Sequence, residues 1–244
     1  MKNDFKNILK KHAKSFYFAG LLLEKQTLND AAILYAFCRQ LDDAADNNDP
    51  DKSNELKNLI QDYRQPISLN PINQSFKKIQ IKYGLKQKFI DDLILGVSSD
   101  TNFKQPQNLQ ELLLYSYQVA GTVGALMTRV LGANHQNAER FAIDLGIGMQ
   151  LTNISRDIKE DSLNNRIYIP RDMLPNDCSL GNILNDRNKE CIFNATNRIL
   201  NIAEKYYQSG IDGIYFIPHK NRFSILIAAI LYNSIGIKIL KNKD

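Results

Sequence analysis

An all-α bundle is what the residue pattern of this chain calls for. Apolar residues recur at helical spacing almost throughout its 244 residues. No stretch keeps the strict alternation of a half-buried strand, and no strand–helix alternation implies a parallel sheet. The breaks fall at proline and asparagine, with no Gly/Ser-rich linker, which predicts one domain over 1–244.

The elements follow in order. An apolar run, Ala31 to Cys38, leads into Arg39-Gln-Leu-Asp42-Asp43-Ala-Ala-Asp46 within a helix over 28–47. Asn47-Asn48-Asp49-Pro50 ends it, because the residue before proline disfavours α geometry. Helices over 53–65 and 72–83 flank a loop bracketed by Gln65-Pro66 and Asn70-Pro71. The next covers 86–98, and Gln105-Pro106 precedes a long helix over 108–132. A helix over 136–161 carries a second acidic stretch, and Ser162 to Pro175 is a loop. Helices over 185–209 and 221–240 complete the chain.

Two of these helices contain costly residues: Gly121 and Gly124 in VAGTVGALM, Gly146 and Gly148 in LGIGMQL. Each glycine costs about 1 kcal/mol relative to alanine in a helix interior. Close approach of another helix, room for a ligand, or both would offset it. Gly146-x-Gly148 follows no strand and lacks a third glycine, which excludes a dinucleotide fingerprint.

Composition excludes several functions. The net charge of +5 is dispersed, and pairs such as Lys10-Lys11 and Lys77-Lys78 do not make the basic stripe of a nucleic-acid binder. Cys38, Cys178 and Cys191 are odd in number and lack CxxC spacing, so neither a disulfide framework nor a zinc site is expected. The first 16 residues lack a signal-peptide core. Ile225 to Leu240 is apolar but about four residues short of a bilayer span, and Asn233, Ser234 and Lys238 interrupt it. A buried core helix is expected there. His12, His135 and His219 sit in no hydrolase or zinc-protease motif, and no P-loop is present.

The chemistry lies in two acidic strips. On the first, Asp42 and Asp46 share a helix face with Tyr35 and Arg39, and Asp43 points partly away. On the second, Asn153, Asp157 and Asp161 fall four apart on one face, extended by Gln150 and flanked by Arg156 and Glu160. Arg166, Tyr168 and Arg171 follow in the loop. Either strip alone reads as a solvated helix face. Together, with apolar neighbours and no lysine four residues on, they read as hard oxygen ligands suited to Mg²⁺. Magnesium held by few carboxylates usually also holds substrate phosphates, and the arginines can grip phosphate oxygens. Two facing helices that clamp a diphosphate through Mg²⁺ give the simplest closed account.

HAKSFYFAG, LYAFCRQLDDAAD, YSYQVAGTVG, QLTNISRDIKEDSLNNRIYIP, AEKYYQSGI and AAILYNSIGIKI resemble the squalene and phytoene synthase family, and the likeness runs from about His12 to Lys238. The resemblance implies the isoprenoid synthase fold around a central cavity, and head-to-head condensation of two prenyl diphosphates. It implies Mg²⁺, or Mn²⁺ in its place, at Asp42, Asp46, Asn153, Asp157 and Asp161. It carries catalytic roles to those aspartates, Arg39 and Tyr168. His12, Ser15, Tyr35, Arg39, Gln150, Asn153, Arg156, Arg166, Tyr168 and Tyr232 match positions around the diphosphates. Phe16, Val119, Gly121 and Gly124 match the channel for the prenyl tails, and Tyr115 and Tyr117 are candidates for its wall. The expected product is phytoene from two geranylgeranyl diphosphates. The alternatives are squalene, dehydrosqualene or presqualene diphosphate from farnesyl diphosphate, with NADPH needed only for squalene. A non-catalytic assembly factor of the same family is the alternative from another class. Expected surroundings are the cytoplasm, with peripheral contact at the inner membrane face and no nucleic-acid partner.

Overall fold

The computed structural model describes residues 5–46 and 54–241. The expected turn at 47–50, with the neighbouring helix ends at 47 and 53, lies outside them. Twelve α-helices and no strand occur among the described residues. They are α1 (Phe5–His12), α2 (Lys14–Gly20), α3 (Lys25–Ala45), α4 (Glu55–Arg64), α5 (Pro71–Tyr83), α6 (Gln87–Ser99), α7 (Leu109–Ser116), α8 (Thr122–Val130), α9 (Ala138–Arg156), α10 (Ile158–Leu163), α11 (Lys189–Asp212) and α12 (His219–Lys241). The first two were not anticipated, and their shortness leaves little periodicity to read.

Local chemistry sets several boundaries. Asn70 caps α5 by accepting from the backbone N–H groups of Ile72 (2.8 Å) and Asn73 (3.0 Å), with Pro71 at the first helical position. Gly84 ends α5 in the left-handed region at φ +60°. Asn108 accepts from Glu111 N (3.0 Å), while the Glu111 carboxylate accepts from Gln107 N (2.8 Å).

Two expected long helices are interrupted. The stretch 108–132 consists of α7, a π-helical turn over Tyr117–Gly121, and α8. A π turn inserts a residue without ending the helix, so the apolar period hardly records it. The stretch 136–161 breaks at Asp157 (φ −100°, ψ 14°) between α9 and α10.

Packing falls into two clusters. One is centred on α3, whose Phe37 stacks on Phe76 of α5 at 3.8 Å. The other surrounds α9, which packs against α8, α11 and α12. The glycines sit at these crossings. A Cβ at Gly124 would lie 2.1 Å from the Ala142 carbonyl oxygen, and one at Gly146 would lie 2.3 Å from that of Ala120. Close helix approach therefore accounts for them. Gly121 faces Ile143, and Gly148 faces α11.

The expectation of a buried helix over 225–240 holds for one face only. α12 is long and apolar enough by composition to cross a membrane, and 22% of its most apolar window is buried. Asn221, Ser224, Ala228, Ala229 and Gly236 face inward, while Phe223, Ile230 and Ile237 are exposed. Length and composition fit both a core helix and a surface one, so sequence alone did not separate them.

Candidate functional site

The two strips meet through Arg166. α3 delivers Asp42 and Asp46 at its last turn, and α9 and α10 deliver Asn153, Asp157 and Asp161. Although the helix breaks at Asp157, the register survives. Asp157 N donates to Asn153 O (2.9 Å) and Asp161 N donates to Asp157 O (2.8 Å). Asn165, at φ +61°, ends this segment in a conformation asparagine tolerates, and Arg166 N then donates to Asp161 O (2.8 Å). From there the Arg166 guanidinium reaches back across 120 residues to the Asp46 carboxylate. It also donates to the main-chain oxygens of Ala45 (3.4 Å) and Asp100 (3.2 Å).

Tyr232 makes a second connection. It stacks on Phe16 (ring centroids 4.8 Å apart) and lies near Arg156 and Tyr35. Arg156 grips the neighbouring Asp157 with Nε (2.7 Å) and Nη2 (2.6 Å). Tyr35 is near Arg39 and Asp42, and burial pushes its phenol up to about 12. Residues from α2, α3, α9, α10 and α12 thus converge.

Each strip holds one carboxylate with an unbalanced environment. Burial, then the neighbouring Asp46, raises Asp42 to about 7. Burial, then Asp157 and Glu160, raises Asp161 to about 7. The side-chain oxygen of Asn153 is buried without a hydrogen-bond partner, while its amide donates to Gln150 (3.2 Å). An orphaned hard oxygen beside acidic groups that resist ionisation fits a divalent cation. No three His, Cys, Asp or Glu side chains among the described residues form a ready-made metal cage. The donor set therefore suits an ion that completes its shell with water and substrate oxygens.

The remaining expected residues fall in different places. Arg39 pairs with Asp43 (2.5 Å) rather than with Asp42, and its Nε is buried without a partner. That i,i+4 pair was readable in the sequence but was overlooked. Ser15 and Val119 are half-buried, with Val119 packed against the α3 cluster. His12 is exposed at the end of α1. Gly121 and Gly124 stand at the helix crossing described above.

Sequence reading missed Asp100, in a short 3₁₀ turn after α6. Its carboxylate accepts from Tyr115 (2.9 Å) and Tyr168 (2.8 Å), whose rings stack at 5.0 Å. Asp100 stands alone, with no DxxxD partner to signal it. A cleft of about 390 Å³ is lined by Asp100, Phe103, Tyr115, Gln118 and Tyr168. Tyr168 also borders a small cavity shared with Asp161 and Arg166.

Together, helices alone and two oxygen-rich strips tied by arginine define the class: the chain belongs to the squalene/phytoene synthase family, whose model matches residues 9–244. It is a prenyltransferase of the phytoene or squalene synthase type. Among its relatives, the 15-cis-phytoene synthase of Enterobacter agglomerans is 30% identical over 94% of this chain and 82% of its own length. That of Paracoccus sp. is 31% identical over 94% and 79%. The fold matches a crystal structure of a dehydrosqualene synthase with ligand at TM-score 0.81, with 24% identity over 98% of this chain and 93% of that one. A squalene synthase from Alicyclobacillus acidocaldarius matches at TM-score 0.86, with 19% identity over 98% and 92%.

Proposed function

We propose that this chain condenses two geranylgeranyl diphosphates head to head into phytoene, with Mg²⁺ required. One observation carries the reading: two acidic strips, far apart in sequence, are tied together by Arg166, and the second of them carries the unpartnered Asn153 oxygen. The phytoene synthases among its relatives support the C20 substrate.

Asp42, Asp46, Asn153, Asp157 and Asp161 would hold Mg²⁺, which when bound supplies Lewis-acid stabilisation of charge on the departing diphosphate. Arg39, Arg156 and Arg166 stabilise the same charge by hydrogen bonding. Tyr35, Gln150 and Tyr232 orient the diphosphates around them, with His12 and Ser15 contributed by α1 and α2 and Tyr168 standing beside Arg166. The allylic C–O bond breaks, and the double bond of the second substrate attacks the resulting cation. Loss of a proton, with diphosphate as its acceptor, closes a cyclopropylcarbinyl diphosphate. Ionisation of that intermediate releases its diphosphate, and rearrangement followed by loss of a second proton, again to diphosphate, gives the linear hydrocarbon. Apolar side chains, Phe16 and Val119 among them, exclude the water that would quench the cations.

The chain acts as a single domain in the cytoplasm, touching the inner membrane face peripherally, because its substrate and product are amphiphilic or apolar. Incubation with C20 or C15 diphosphate and Mg²⁺, with and without NADPH, tests the reading by product mass. We expect a C40 hydrocarbon from the C20 substrate, independent of NADPH. A C30 product formed preferentially would overturn the substrate assignment. Failure to release diphosphate from either substrate would favour the non-catalytic role.

A further inference from the structure

We propose that Asp100 is a positioning residue of this site, holding Tyr115, Tyr168 and Arg166 in one arrangement from outside both acidic strips. The proposal rests on the reading above for its catalytic consequence and on geometry for its structural one.

The carboxylate is an acceptor only, so both phenols must donate to it. That fixes each hydroxyl hydrogen, and with it the orientation of each ring. The two rings, 5.0 Å apart, then stand as one rigid pair, closed on the far side by the edge of Phe103 against Tyr168 at 5.0 Å. The main-chain oxygen of the same residue receives Arg166 Nη2 at 3.2 Å, while Arg166 Nη1 holds Asp46. One residue thus sets two tyrosines and the arginine that joins the strips.

Electrostatics argue against a purely structural role. Asp100 adds negative charge to a neighbourhood that already contains Asp42, Asp46 and Asp161. A fold needing only hydrogen-bond acceptors would avoid that repulsion with neutral asparagine. The carboxylate has a clear use where positive charge passes nearby, because a phenol donating to an anion has a more electron-rich ring and a face more attractive to a cation. Asp100 bonds Tyr115, Tyr168 and Arg166, none of them an expected metal ligand, and acts through these groups.

The test compares Asp100→Asn, Tyr168→Phe and their combination with wild type, using C20 diphosphate and Mg²⁺. We expect Asp100→Asn to lower kcat by about thirtyfold or more, as small misplacements in active sites do, with KM within about threefold. The melting temperature should stay within a few degrees. Adding Tyr168→Phe to Asp100→Asn should cost less than about a further twofold, because both act through one unit. Near-normal kcat, or fully additive losses, would overturn the proposal. If Asp100→Asn does not fold, the pair Tyr115→Phe and Tyr168→Phe carries the test: it removes both donors, so normal kcat there is equally fatal. If wild type itself turns over no prenyl diphosphate, the functional reading fails on its own. The positioning claim is then decided by near-ultraviolet circular dichroism, where a chain with 11 tyrosines and no tryptophan gives a clean tyrosine band. A band altered by Asp100→Asn at unchanged far-ultraviolet signal supports positioning, and an unchanged band overturns it.

Discussion

The two acidic strips share a spacing but not a construction. The first ends a continuous, deeply packed helix: α3 buries Leu34, Phe37 and Leu41 beneath Asp42, and Asp46 is held from outside by Arg166. The second straddles a break, with Asp157 as the hinge between α9 and α10 and gripped by its own neighbour Arg156. Yet each presents one carboxylate raised to about 7 by burial and like charge, Asp42 and Asp161. The same carboxylate shift therefore does not require the same backbone. It needs only oxygens four residues apart and surroundings that bury one carboxylate among like charges.

The sharpest way to break this equivalence is to neutralise one member of each strip. Asp42→Asn and Asp157→Asn should each lower kcat by about 10²–10³-fold, since each removes part of a metal site worth several kcal/mol of transition-state stabilisation. Helical content should be intact by far-ultraviolet circular dichroism. A large loss for one and a small loss for the other would make the strips unequal.

Arg166→Gln cuts the tie between them. We expect turnover to fall by about thirtyfold or more, the scale of truncating one partner of a half-buried charge pair. Kinetics matching wild type would mean that the strips face each other without it.

Asp43→Asn should cost less than about fivefold, because Asp43 is exposed and its partner Arg39 is also more than a third exposed, the regime in which ion pairs contribute little. A loss equal to that of Asp42→Asn would remove the distinction between the two aspartates.

The smallest effect is on stability against pH. Asp42 and Asp161 bind protons more tightly folded than unfolded, so their contribution favours folding at pH below about 4 and is lost as pH rises through about 7. Without metal, thermal unfolding should occur a few degrees lower at pH 8 than at pH 5, with other conditions fixed. Asp42→Asn and Asp161→Asn should each flatten that profile in part. Mg²⁺ with inorganic diphosphate should stabilise more at pH 8, where the carboxylates are ionised. A profile unchanged by either substitution would contradict the raised carboxylates.

Legibility followed the physics of the signal. Periodicity placed the long helices, because the face of a helix against a core repeats over many residues. It did not register the π turn over Tyr117–Gly121 or the break at Asp157, each of which shifts the repeat by little. The strips were visible because their members are close in sequence. Asp100 was not, because its partners Tyr115 and Tyr168 come together only through the fold. The glycines signalled that something came close, and only the structure showed that it was the Ala120 and Ala142 backbone. The stretch 225–240 reads as buried because it falls short of a bilayer span and is interrupted by Asn233, Ser234 and Lys238, whereas α12 runs from His219 to Lys241 with one face open.

The central claim is that both strips act on one diphosphate through a divalent cation. Release of diphosphate from geranylgeranyl diphosphate, followed with and without Mg²⁺ in wild type, Asp42→Asn and Asp157→Asn, tests it most directly. Metal-dependent release by wild type and its near loss in both variants are expected. Release that persists without metal, or that survives either substitution, would contradict it.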